Sequence, residues 1–149
     1  MRLFLDTSAM VKLFVEEPGS EAMSGRVEEP GAEIWVLDLA ALEFSSMLWR
    51  RVREGVLTAD EASAVIRLQE QQFALWNVLA ISPALLDTAR GLLGDHAEME
   101  GLRTLDAIQL AGYSWLVGED GSVFASADSR LCRIAGQRGY AVFNPEEDG

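Results

Sequence analysis

Five short apolar runs, Arg2–Leu5, Glu33–Leu37, Val78–Ile81, Ser122–Ala125 and Ala141–Phe143, are spaced along the chain with helix-like segments between them. Runs this short read as buried strands. Strand alternating with helix indicates an α/β domain built on a central, mostly parallel sheet of four to five strands flanked by helices. The helices carry their own start and stop signals. Thr7 or Ser8 is positioned to cap a helix through Phe14, broken by Pro18-Gly19, and Ser20–Val27 is stopped by Pro30-Gly31. Leu39–Glu54 is closed by Gly55. Thr58-Ala59-Asp60-Glu61 is a capping box for a helix to about Trp76, and Ser82-Pro83 opens one that reaches about Leu93 or beyond. Thr104 is the expected cap of Leu105–Val117, and Ser129–Ala135 forms the last helix.

In open parallel sheets, sites lie beyond the C-terminal ends of the strands. That rule draws attention to Asp6, Asp38 and the Ser126–Asp128 segment. Asp6 follows the first run, where a turn or helix-capping aspartate is the plain alternative. Glu43 sits in the largely apolar Leu39-Ala40-Ala41-Leu42-Glu43-Phe44, where a buried carboxylate needs a cation or strong donors, unless it is exposed or paired with Arg50 or Arg51. Asp106 lies in the first turn of its helix, a favourable place for an acid in any case. Ala107, Ala111 and Gly112 let that helix pack close to a neighbour. Asp128 either caps the helix from Ser129 or, with Ser126 on the same side of an extended segment, offers oxygen ligands. Oxygen-only ligands select a hard ion, Mg²⁺ with Mn²⁺ as substitute, and such a cluster suits phosphodiester hydrolysis.

The 149 residues suit one domain, taken as residues 1–145 with a loose acidic tail at 146–149. Apolar residues make up 49%, enough for a core. No apolar run approaches the ~18–20 residues of a membrane helix, and Asp6 interrupts the N-terminal run, so a soluble, cytoplasmic protein with no membrane contact is expected. A single cysteine, Cys132, and a single histidine, His96, exclude an intrachain disulfide and a Cys/His zinc site. His96 lies among Asp95, Glu98 and Glu100 and reads as a surface residue.

The net charge of −12 opposes nucleic-acid binding, which draws on clustered Lys and Arg. Part of that charge is the proposed cation site. The arginines are also uneven, with Arg50, Arg51 and Arg53 on one helix and Arg130, Arg133 and Arg138 after Asp128. They either contact phosphate or pair with the plentiful acids.

Leu3-Phe4-Leu5-Asp6-Thr7-Ser8-Ala9 resembles the opening of a PIN domain, especially in the VapC toxins of bacterial toxin–antitoxin pairs. Leu42-Glu43 through Ser46-Met47-Leu48-Trp49-Arg50-Arg51, then Gly55-Val56-Leu57, resembles the family's second motif. Leu102-Arg103-Thr104-Leu105-Asp106-Ala107-Ile108-Gln109-Leu110-Ala111 resembles the third, and Phe124-Ala125-Ser126-Ala127-Asp128-Ser129-Arg130-Leu131 the fourth. The resemblance runs from residue 2 to about 143. It implies a magnesium-dependent endoribonuclease acting on an RNA substrate, usually a homodimer and silenced by a cognate VapB-type antitoxin. It also implies Asp6, Glu43, Asp106 and Asp128 as the acidic metal ligands, with Thr7 and Ser126 as neighbouring hydroxyls. Ser126 stands where the family often has Thr, Asp38 where a small hydroxyl residue is common, and Gln109 where many relatives have His. Asp38 either extends the acidic site or caps the Leu39 helix, and capping is the plainer expectation. Trp49, Trp76, Phe73 or Met47 would receive an antitoxin helix, unless they pack in the core.

Two other readings compete. One is a catalytically silent PIN-like module that binds a partner protein. The other is a phosphotransfer receiver or phosphatase using Asp6 as nucleophile. A receiver needs a late Lys where this chain has only Lys12, and a dehalogenase-type phosphatase needs an Asp where Ser8 stands.

Overall fold

The computed structural model describes residues 1–116 and 121–149. In chain order the elements are β1 (Arg2–Leu5), α1 (Thr7–Val11), α2 (Ser20–Val27), β2 (Glu33–Leu37), α3 (Asp38–Arg53) and α4 (Ala59–Phe73). They continue as β3 (Asn77–Leu79), α5 (Pro83–Glu100), α6 (Thr104–Ser114), β4 (Ser122–Ala125), α7 (Ser129–Gln137) and β5 (Val142–Phe143). The strands form one sheet in the order β3-β2-β1-β4-β5, with every pairing parallel. The expected α/β architecture is therefore present, with five strands.

Central strand β1 is apolar at every buried position because both of its faces are covered. Leu3 and Leu5 face one core with Met10, Val36, Phe44 and Leu48, while Phe4 faces the other with Leu37, Leu110, Tyr113 and Phe124. Phe4 packs edge-on to Tyr113 at 6.1 Å and stacks on Phe124 at 6.0 Å. Helix α6 lies close on that second face. A Cβ at Gly112 would lie 3.0 Å from both the Leu37 side chain and the Phe4 ring, so any larger residue would have to push these core side chains aside.

The chain builds outward from β1 through β2 to β3, then crosses back to place β4 on the other side of β1. The order reverses between β1 and β4, which is where a parallel sheet opens a crevice at its C-terminal edge. The Asp6 amide extends this pairing by donating to the Ala125 carbonyl at 3.0 Å.

Several local expectations are corrected. Asp6, not Thr7 or Ser8, caps α1, and α1 ends at Val11 rather than Phe14. Arg103, not Thr104, occupies the N-cap of α6, with no side-chain cap bond. Val117, the expected end of that helix, lies outside the described residues. Asp38 does not cap α3; it is the helix's first residue, and its two oxygens accept the Ile81 amide at 3.2 and 3.3 Å. Thr58 and Ser82 cap α4 and α5 as expected. Lys12 is buried, its Nζ donating to Glu17 Oε1 at 3.1 Å, to the Pro18 carbonyl at 2.6 Å and to Glu146 Oε1 at 2.6 Å. Ser129 also donates to Glu147, so residues 146 and 147 both contact the domain. Among the described residues, no helix is long and apolar enough to cross a membrane.

Candidate active site

Asp6 is the most enclosed of the candidate acids, 5% exposed at the end of β1. Its carboxylate is held from three directions. Ser126 Oγ donates to Oδ2 at 2.6 Å, and Ser8 Oγ (2.7 Å) and the Ala9 amide (2.9 Å) donate to Oδ1. The hydroxyls are held in turn, since Ala127 N donates to Ser8 Oγ at 2.9 Å and Asp128 N to Ser126 Oγ at 3.1 Å. Burial drives the Asp6 carboxyl up to about 6; the three donors oppose this, and the charge of Asp106 adds to it.

Asp106 is half-buried in the first turn of α6. Burial raises its carboxyl above the ordinary range, and the charges of Asp128 and Glu43 push the same way, against Arg103 and Arg130. Arg103 Nε lies 3.8 Å from its Oδ2. Asp106 is thus the acid whose field reaches the other three, and it shares a groove with Glu43, Leu93, Leu102 and Arg103. Asp128 caps α7, its Oδ1 accepting from Leu131 N at 3.0 Å, so the plain structural role expected for it is real and occupies only one of its two oxygens.

Glu43 joins three helices. From α3, its Oε1 accepts from Thr7 Oγ1 of α1 at 2.7 Å and from Gln109 Nε2 of α6 at 2.9 Å. The same Nε2 reaches Thr7 Oγ1 at 3.0 Å. Gln109 is 3% exposed, and its own Oε1 is buried with no partner, at a typical cost of roughly 1–3 kcal/mol. Glu43 pairs here with neither Arg50 nor Arg51; Arg51 turns to Glu17 at 3.5 Å.

The structure therefore gathers Asp6, Glu43, Asp106 and Asp128, with Thr7 and Ser126, around the crevice end of the sheet. Asp38 is directed elsewhere, to Ile81. Sequence reasoning missed Ser8 and Gln109 as members of this network; each is a polar residue in a helix that presses on the sheet. His96 is not a surface residue: it is buried, with Nδ1 2.5 Å from Glu100 Oε1 and Nε2 3.2 Å from Arg138, and it joins α5 to α7 away from the acids. The Cys132 thiol is pushed up to about 12, mainly by burial and then by the charge of Asp6, so it is no nucleophile at neutral pH.

Among the described residues, no three acidic, His or Cys side chains are drawn tightly enough to enclose an ion by themselves. That still fits a hard cation of the Mg²⁺ kind, which keeps several waters and takes only one or two carboxylates at a time. The repulsion that Asp6 and Asp106 feel from neighbouring acids is what a cation would relieve.

A PIN domain family model matches residues 3–137. Ribonuclease VapC46 of Mycobacterium tuberculosis is 31% identical over 145 residues, covering 96% of this chain and 97% of that protein. Ribonuclease VapC3 of Pyrobaculum aerophilum is 36% identical over 87 residues, 58% of this chain and 66% of that relative. In fold, the chain is similar to FitAcB from Neisseria gonorrhoeae, with a TM-score of 0.69 at 15% identity over 97% of this chain and 99% of that one. VapBC-1 from nontypeable Haemophilus influenzae gives a TM-score of 0.67 at 13% identity over 99% and 100%.

Proposed function

The chain belongs to the PIN-domain family, and we propose that it is a metal-dependent endoribonuclease, the toxin of a VapBC-type pair. The observation that carries this reading is that Asp6 and Asp128 follow the adjacent strands β1 and β4, where the strand order reverses, with Ser126 bonded to Asp6, while Glu43 and Asp106 line one groove. The two relatives named above are ribonucleases by name, one of them matched along almost its whole length.

Asp6, Glu43, Asp106 and Asp128 would hold Mg²⁺ or Mn²⁺, which when bound supplies a Lewis acid that makes water a nucleophile and neutralises charge on the leaving oxygen. The chain's own part is positioning. Ser126, Ser8 and the Ala9 amide fix the plane of the Asp6 carboxylate, and Thr7 and Gln109 fix one oxygen of Glu43. Arg103 and Arg130, whose charges bear on Asp106, would meet the phosphates of an RNA strand in this reading. No side-chain nucleophile takes part in this reading.

For partners, the similar Haemophilus influenzae structure is a VapBC-1 pair, and one from Rickettsia felis is VapBC2 bound to a DNA fragment from their promoter. We infer a cognate VapB-type antitoxin for this chain and a homodimer. A groove of about 440 Å³ lined by apolar side chains such as Leu13, Phe14 and Trp76 and by the polar Ser24, Glu28 and Gln72 would take an amphipathic helix of that antitoxin.

The test is incubation of the purified protein with total RNA, tRNA and rRNA in Mg²⁺ or Mn²⁺, beside EDTA and the Asp106→Asn variant. Cleavage that needs both the metal and Asp106 supports the reading. Cleavage that persists in EDTA and in the variant contradicts it, and no cleavage together with no divalent-metal binding favours a silent partner-binding module.

A further inference from the structure

We propose that Gln109 is a positioning residue for Glu43: its buried amide pins one oxygen of that carboxylate and leaves the other for the cation. The inference rests on the metal-site reading above.

Gln109 stands on α6 among the buried apolar residues Ala107, Ile108, Leu110 and Ala111, where packing alone would favour another apolar side chain. Instead it directs its NH₂ to two acceptors, Glu43 Oε1 and Thr7 Oγ1, and leaves its own oxygen buried without a partner. Turning the amide over would not help, because the oxygen would then face the Glu43 carboxylate. The orientation is therefore set by the need to donate to Glu43. Together with the Thr7 hydroxyl, Gln109 gives Oε1 two donors from two different helices. Among the described residues, Oε2 takes no hydrogen bond.

A neutral donor is the chemistry this position requires. A Lys or Arg here would orient Glu43 but also neutralise it and compete with a cation. An amide orients the carboxylate and keeps its charge. Groups that orient metal-binding side chains in this way typically change metal affinity by 10–100-fold when removed.

The test compares Mn²⁺ binding by the wild type, Gln109→Leu and Gln109→His in isothermal titration, with cooperative melting in EDTA as the control for folding. Leu has similar size and no donor, while His keeps a ring N–H. A loss of about 10–100-fold in Gln109→Leu, recovered in Gln109→His, is expected. Wild-type affinity in Gln109→Leu overturns the proposal while leaving the metal site in place, and so does an equal loss in both variants, which would report packing. If the wild type itself takes up no Mn²⁺, the metal-site reading fails and the role of Gln109 with it. Should Gln109→Leu not melt cooperatively, Gln109→Met removes the same donor with an unbranched side chain; weakened Mn²⁺ binding there supports the proposal and unchanged binding overturns it.

Discussion

Ser126 Oγ donates to Asp6 Oδ2 across 2.6 Å, tying the end of β4 to the end of β1 where the strand order reverses. This bond and two others hold a carboxylate that is almost wholly enclosed. They do not fully offset its burial, and the Asp6 carboxyl rises to about 6.

That shift has a stability consequence in the metal-free protein. The folded state holds a proton on Asp6 up to about pH 6, whereas the unfolded chain releases it near 4. The native state binds more protons in that window, so stability is full below about pH 4 and falls as pH rises to about 6. The decline amounts to about 2–3 kcal/mol. Urea unfolding in EDTA from pH 4 to 7 should show this decline in the wild type and a flatter profile in Asp6→Asn. A matching decline in both proteins would mean that Asp6 is not the group responsible.

Gly112→Ala should be destabilising. Alanine is the better helix former by about 1 kcal/mol. Here its methyl would press on Leu37 and Phe4 from 3.0 Å in a sealed core, and overpacking costs roughly 1–3 kcal/mol. A net loss of up to about 2 kcal/mol is expected in chemical denaturation, with lower nuclease activity because α6 carries Asp106. A stabilised variant would show that α6 can move away from the sheet without consequence.

Lys12→Met should release the segment after β5. The substitution fits the buried stem but leaves Glu146 without its cation and Glu17 with Arg51 alone. Both acids are partly solvated, so the cost should fall below the 3–5 kcal/mol typical of a broken buried pair, at about 1–2 kcal/mol. Amide hydrogen exchange should accelerate at residues 146–148 while the β1 core stays protected. Unchanged exchange there would show that the remaining bonds of this segment suffice.

Arg103 and Arg130 should account for part of RNA binding. Each phosphate that a cationic side chain neutralises on a single strand contributes about 0.7 to the salt slope of the binding constant. Replacing both arginines with Ala should weaken binding to the inactive Asp106→Asn protein and flatten its salt dependence by about 1.4 in that slope. An unchanged slope would place the RNA elsewhere.

The sheet was legible because its strands are short, apolar and separated by clear helix signals; β1, β2 and β4 coincide with their expected runs, β3 runs Asn77–Leu79 rather than Val78–Ile81, and β5 starts at Val142 rather than Ala141. The acids were legible for the same reason, since Asp6 and Asp128 follow strands and α6 carries small residues that bring Asp106 close. What was not legible is how polar side chains distribute their bonds. Asp38 looks like a helix cap and instead binds the Ile81 amide, 43 residues away in sequence. His96 sits among charged neighbours, yet α7 covers it by bringing Arg138 to its ring. Gln109 lies in an apolar stretch, and its role depends on Thr7 and Glu43, from two distant segments. No periodicity encodes such pairings, because they arise only once the helices have packed.

If Asp6, Glu43, Asp106 and Asp128 share one cation-binding cleft, crystals grown with Mn²⁺ and measured for anomalous scattering should reveal it. A manganese peak is expected within coordinating distance of Asp106 and at least one of the other three carboxylates. A map with no peak at the cleft at saturating Mn²⁺, or with manganese bound only at surface acids such as Glu16 and Glu21, would contradict it.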